Sequence, residues 1–159
     1  MADLRRFALD LGFTEPRTLL QSGNLVMDGG DGGEDLEQRL QAEAVSRLGV
    51  TVDFVTRTSQ AWRAVIEANP FGEAAETDPG HLLVFFLKAP PATGAIDDLR
   101  AAITGREVVH LHGAQAYLVY PDGIGDSRLT NTVIERRLGV RGTGRNWNTV
   151  QKIAALAEA

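Results

Sequence analysis

Cysteine is absent from this 159-residue chain. That excludes disulfides, thiolate nucleophiles and zinc–thiolate centres together, and it gives no support for an oxidising compartment. Long apolar runs are also missing, since no stretch approaches the ~20 residues that span a bilayer. Positive charge is in deficit, with 16 Lys and Arg against 21 Asp and Glu. Nonspecific binding to nucleic acid depends on neutralising phosphates, so a net charge of −5 argues against such a partner. Near the start, Arg5 and Arg6 lie inside an amphipathic pattern rather than ahead of a hydrophobic stretch. That segment therefore reads as a helix and not as a signal peptide. The expectation is a cytoplasmic protein with no membrane segment.

What is present is the composition of an ordinary globular protein, 43% hydrophobic and 23% charged, which is not that of a disordered chain. Leu4, Phe7, Ala8 and Leu11 at helical spacing predict a first helix, closed by Gly12. Residues 17–20 and 25–27 are β-like and flank Gln21-Ser22-Gly23-Asn24, whose composition suits a hairpin turn. A glycine-rich loop over 29–33 leads to a helix over 34–48 that Gly49 closes, and residues 50–56 alternate as a strand. Thr58 or Ser59 caps a helix running to about Ala68, stopped by Asn69-Pro70. Residues 72–80 read as a connector.

The order then recurs. Residues 81–88 (HLLVFFLK) are nearly continuous in apolar side chains, as in a strand covered on both faces. A helix over 93–104, a hairpin of 107–111 with 116–120, a helix over 127–138, a short extended piece and a last helix over 146–159 follow. Arg47-Leu48-Gly49-Val50 returns as Arg137-Leu138-Gly139-Val140 at an offset of 90, and the hairpin glycines Gly23 and Gly113 share that offset. Asp3-Leu4-Arg5 returns as Asp98-Leu99-Arg100 at an offset of 95. Three landmarks in one order at nearly one offset indicate an internal duplication. The second unit has the ferredoxin-like order βαββαβ. The fold expected is α+β, two tandem ferredoxin-like units, with the first unit missing its opening strand, which the offset places before Met1. Such a gap predicts a start some ~15 to 20 residues upstream and open strand edges through which the chain could dimerise. The domains expected are residues 1–71, a connector 72–80, and residues 81–159.

Arg17-Thr18-Leu19-Leu20-Gln21-Ser22-Gly23-Asn24-Leu25-Val26, Ala68-Asn69-Pro70-Phe71 and Thr143-Gly144-Arg145-Asn146-Trp147-Asn148-Thr149-Val150 together resemble the signature of a bacterial domain-of-unknown-function family, number 1697. The likeness runs from about Ala2 to Leu156. It implies two α/β units of ferredoxin-like type. It also implies an opening strand with an Arg-Gly-Ile-Asn-like loop, which this chain lacks. No reaction is established for the family.

The candidate ligand-binding residues are Arg17, Gln21, Ser22, Asn24, Arg145, Asn146 and Asn148. Residues 143–149 combine a helix N-terminus, which attracts anions, with Arg145 as a fork for carboxylate or phosphate. The structural alternative is a cap made by Thr143 or Asn146, with Trp147 anchoring the helix. At the first hairpin, Gly23 serves the turn, because the second hairpin keeps its glycine as Gly113. Gln21, Ser22 and Asn24 are then left as functional additions. His110 and His112 share one strand face but have no third ligand at matching spacing, so neither a metal nor any other cofactor is expected. Ser22 lacks a G-x-S-x-G elbow, and residues 29–33 lack the P-loop order. No catalytic residue can be assigned. The leading expectation is a binding module for a small anionic ligand or a protein partner. Against it stand an enzyme with a polar cleft between the units and, last, an RNA-binding module supported by fold analogy alone.

Overall fold

A computed structural model describes residues 2–19, 23–30 and 32–158. Among these are seven α-helices and six strands in two sheets, an α+β protein. The chain divides into two compact units, Met1–Ala64 with Gln151–Ala159, and Val65–Val150. No helix among the described residues is long and apolar enough to cross a membrane.

The first unit holds α1 (Ala2–Asp10), β1 (Thr14–Leu19), β2 (Asn24–Asp28) and α2 (Glu34–Leu48). Phe7 and Ala8 of α1 and Leu40 and Ala44 of α2 are the inward stripes of their helices. With Phe13 they form a small buried core, against which Leu4, Leu11, Leu25, Met27, Leu36 and Phe54 pack. β1 and β2 pair antiparallel, with an irregular register between Thr14 and Arg17. The bulge falls at Glu15, which has φ +49°, and at Pro16, a residue tolerated only at a sheet edge or a bulge. Acidic Glu34, Asp35 and Glu37 open α2, and Arg47 lies in its last turn, both in accord with the helix dipole.

The strand expected over 50–56 does not form; among the described residues this segment has no strand partner. Its backbone donors turn to α2 instead. Phe54 N–H donates to Gln41 Oε1 at 3.2 Å, and Thr56 N–H to Glu37 Oε2 at 2.7 Å. The Thr56 hydroxyl donates to the same oxygen at 3.0 Å. An extended segment without a neighbouring strand must place its N–H groups somewhere, and two helix side chains receive them. The Phe54 ring stacks on Phe7, centroids 6.2 Å apart.

α3 (Ser59–Glu67) starts at Thr58, whose Oγ1 accepts from Ala61 N–H at 3.1 Å. The stretch expected to be a plain connector is partly helical: α4 (Gly72–Thr77) is followed by a 3₁₀ turn, Pro79–His81. Six residues give too short a periodicity to stand out from a loop.

The second unit is a four-stranded antiparallel sheet of β3 (Leu82–Leu87), β4 (Val108–His112), β5 (Gln115–Val119) and β6 (Gly142–Asn146), in the order β4-β5-β3-β6. β3 lies between β5 and β6, and all six of its residues are buried, which explains its unbroken apolar sequence. α5 (Ala95–Ala101) and α6 (Asn131–Leu138) supply Leu99, Ile134 and Leu138 to the core with Phe85, Leu118 and Tyr120. β6 can approach β3 because it carries glycine. A Cβ on Gly142 would stand 2.4 Å from the Phe86 carbonyl oxygen.

Two helices are shorter than expected. α5 begins only after Gly94, at φ +90°. α6 begins at Asn131 rather than near Ser127, capped by Thr130 Oγ1, which accepts from Val133 N–H at 3.3 Å. Ser127 is held elsewhere, donating to Glu107 Oε1 at 2.7 Å. The last helix, α7 (Trp147–Glu158), follows β6 without a loop.

Candidate functional site

The run 143–149 is mostly scaffold. Gly144 lies against Leu83 and Phe85, each within 3.2 Å of where its Cβ would be. Asn146 is the cap of α7, its Oδ1 accepting from Thr149 N–H at 3.0 Å, and of the two cap candidates it is the one so engaged. Trp147 and Thr149 are buried, and Asn148 is exposed.

Arg145 is half-buried. Its Nη1 donates to Thr143 Oγ1 at 2.7 Å and to the Gly144 carbonyl at 2.8 Å, which ties the guanidinium to the preceding residues of β6. Partial burial removes hydration and pushes its pKa below the ordinary arginine value. A guanidinium held in this way is a fork of the kind that binds a carboxylate or phosphate.

In the first unit, Arg17 on β1 faces Asp28 on β2, Nη2 to Oδ1 3.9 Å. Asn24 is buried, and its Nδ2 donates to the Leu19 carbonyl at 2.9 Å, bracing the hairpin. Gly23 has φ +85°, the turn role expected of it. Gln21 and Ser22 lie outside the described residues. Arg17 and Asn24 thus belong to one hairpin, and Arg145, Asn146 and Asn148 to the β6–α7 junction.

His110 and His112 are both exposed on one face of β4. Among the described residues no group of three metal-ligating side chains comes together. An open depression of about 340 Å³ in the first unit is lined by Arg6, Phe7, Asp10, Arg47 and Leu48. Arg6 pairs with Asp10 at 3.2 Å and Arg47 with Glu43 at 2.7 Å.

Sequence reasoning missed one polar cluster, at the end of the second sheet where β3 and β4 begin. His81 Nδ1 lies 2.9 Å from Asp78 Oδ2. Arg106 holds Asp122 through Nε at 3.0 Å and a second contact through Nη2. Ser127 bridges Glu107 and the Leu129 N–H, which donates to Ser127 Oγ at 3.0 Å. The Ser127 hydroxyl, and then nearby backbone N–H groups, hold the Glu107 carboxyl below the usual range, and Arg106 does the same for Asp122. These residues are scattered over fifty positions with no shared motif, so no sequence signal joins them. Apart from the outward Asp78–His81 pair, they tie loop 121–129 to the start of β4.

The fold and these sites define an α+β protein of two compact units. Residues 1–117 match the model of the family described as protein of unknown function (DUF1697). The chain belongs to that family. Residues 143–150 lie beyond the matched span. No curated protein and no solved structure matches the chain.

Proposed function

We propose that this protein is a binding module for a small anionic ligand, held at Arg145 and the N-terminus of α7. The carrying observation is the guanidinium itself, half-buried and fixed by Thr143 and Gly144. Asn148, exposed on the first turn of α7, is a polar addition to it. The pair Arg145→Ala and Trp147→Ala tests this. Arg145→Ala should abolish chemical-shift responses to a panel of phosphate and di- and tricarboxylates while barely moving the unfolding midpoint. A loss of several kcal/mol would instead make Arg145 a buried structural partner. Trp147→Ala should cost about 3–5 kcal/mol, as truncation of a buried aromatic does.

The same reading takes the two units as ferredoxin-like copies. The β4-β5-β3-β6 order with helices after its first and third strands supports this for the second unit. For the duplication the helix ends speak. Gly49 has φ 69° and ψ 22°, and Gly139 has φ 71° and ψ 20°. Gly49 N–H donates to the Val45 carbonyl, and Gly139 N–H to that of Glu135, the same offset of 90 again. Helix, hairpin and helix follow in each unit. On this reading residues 50–56 correspond to β6, an edge strand that pairs only with β3.

A further inference from the structure

His110 and His112 are two of the three histidines in the chain, and both are exposed on β4. Residues two apart on a strand stand on one face, about 7 Å from each other, so both imidazoles can reach one ion. Two nitrogens fill half of the tetrahedral shell that zinc takes in a structural site. Among the described residues no third ligating side chain joins them. We infer that His110 and His112 bind a divalent transition ion of the zinc, nickel or copper kind together with the same two residues of a second copy of this chain.

The edge of the second sheet supplies the geometry. β4 pairs with β5 through Val108–Val119, Val109–Leu118, His110–Tyr117, Leu111–Ala116 and His112–Gln115, and among the described residues it has no other strand neighbour. Arg100 Nη2 donates to the Val109 carbonyl at 3.3 Å, so that carbonyl is turned away from β5. Residues bonded to a given neighbour alternate along an antiparallel strand. Leu111 therefore shares the outward direction of Val109, while the backbone groups of His110 and His112 are directed at β5. A second β4 laid antiparallel about a two-fold axis at Leu111 would exchange both Leu111 bonds with its own copy, an isologous contact. That register sets His110 opposite the partner's His112, and His112 opposite the partner's His110. Opposed Cβ atoms lie about 4.5–5.5 Å apart on the same face, so four imidazoles would surround one point. Imidazole nitrogens suit zinc, copper and nickel. Leu111 packs against the core on the other face and leaves the ion side to the histidines.

The ion, rather than the strand, would hold the two copies together. β4 has no proline or lysine to discourage pairing. Yet Arg100 already occupies the Val109 carbonyl, and the strand is five residues long, which leaves the Leu111 pair as the centre of a very short ladder.

Zinc added to the untagged full chain is the test. Half an equivalent should double the mass measured by sedimentation, and excess EDTA should restore it. Amide exchange at Leu111 should slow at least tenfold in the zinc-bound form. His110→Ala and His112→Ala should each weaken zinc binding at least tenfold, and His81→Asn should change it less than twofold. Zinc bound at one per chain without a change in mass would overturn the inference, as would a dimer that forms equally without zinc or in the two alanine variants. A zinc dimer whose Leu111 amide is no slower to exchange would place the meeting point away from this edge and would overturn it too.

Discussion

Leu48 and Leu138 end their helices in the same tetrapeptide, yet Leu48 is 41% exposed and Leu138 is 2% exposed. The difference is supplied by the neighbours. In the second unit α5 and α6 pack against one another over a sheet with a fully apolar central strand, and Leu138 joins a continuous core. In the first unit an open depression lies beside Phe7 and Leu48, and among the described residues the sheet has two strands. Residues 50–56 lean on Gln41 and Glu37 where β6 leans on β3. The same tetrapeptide thus ends two helices in the same local geometry, while burial depends on what each is packed against.

The sharpest test of that contrast compares the two leucines. Leu138→Ala should cost about 2–5 kcal/mol, as large-to-small changes in a packed core do. Leu48→Ala should stay within about 0.5 kcal/mol. Similar losses in chemical denaturation would show that the first helix end is buried in solution and would erase the contrast.

A smaller effect is expected where the first unit replaces a strand ladder with side chains. Glu37→Ala removes the acceptor of the Thr56 N–H and hydroxyl and should cost about 2–3 kcal/mol, the scale for hydrogen bonds to a charged group. Exchange of the Thr56 amide should rise with it. If that amide stays protected, some other acceptor holds the segment.

The smallest effect belongs to the second unit and to alkaline pH. Tyr117 donates to the Val65 carbonyl at 2.5 Å, and burial pushes its phenol from an ordinary 10.0 up to about 12. Burial likewise raises Tyr120, whose hydroxyl donates to the Leu129 carbonyl at 2.9 Å. A raised folded pKa means the neutral phenol is the favoured form. Its contribution is therefore complete below about pH 10 and is lost as pH climbs towards 12. Tyr117→Phe should cost about 1 kcal/mol at neutral pH and flatten the decline between pH 10 and 12. An unchanged slope would assign the alkaline loss to other groups.

Much of the local structure is written in the residues. Helix stripes such as Phe7 with Ala8 and Leu40 with Ala44, the glycine C-cap at Gly49, the Thr58 cap and the all-apolar β3 are each set by neighbours within a few positions. The candidate site was legible to the same depth. A polar-aromatic run at a helix start can be seen from sequence. That Asn146 caps, Trp147 fills the core and Arg145 is held by Thr143 requires coordinates. The expected strand over 50–56 shows the limit, for alternation marks a segment able to pair but cannot supply the partner. Ser127 shows it again, since a residue that reads as the start of a helix binds Glu107, twenty positions away. Sequence by itself determined most of the helices and strands and their order, because backbone preference and periodicity are local. Tertiary structure decided which of the two leucines was buried and which polar groups met, because burial and long-range hydrogen bonds belong to pairs of distant segments.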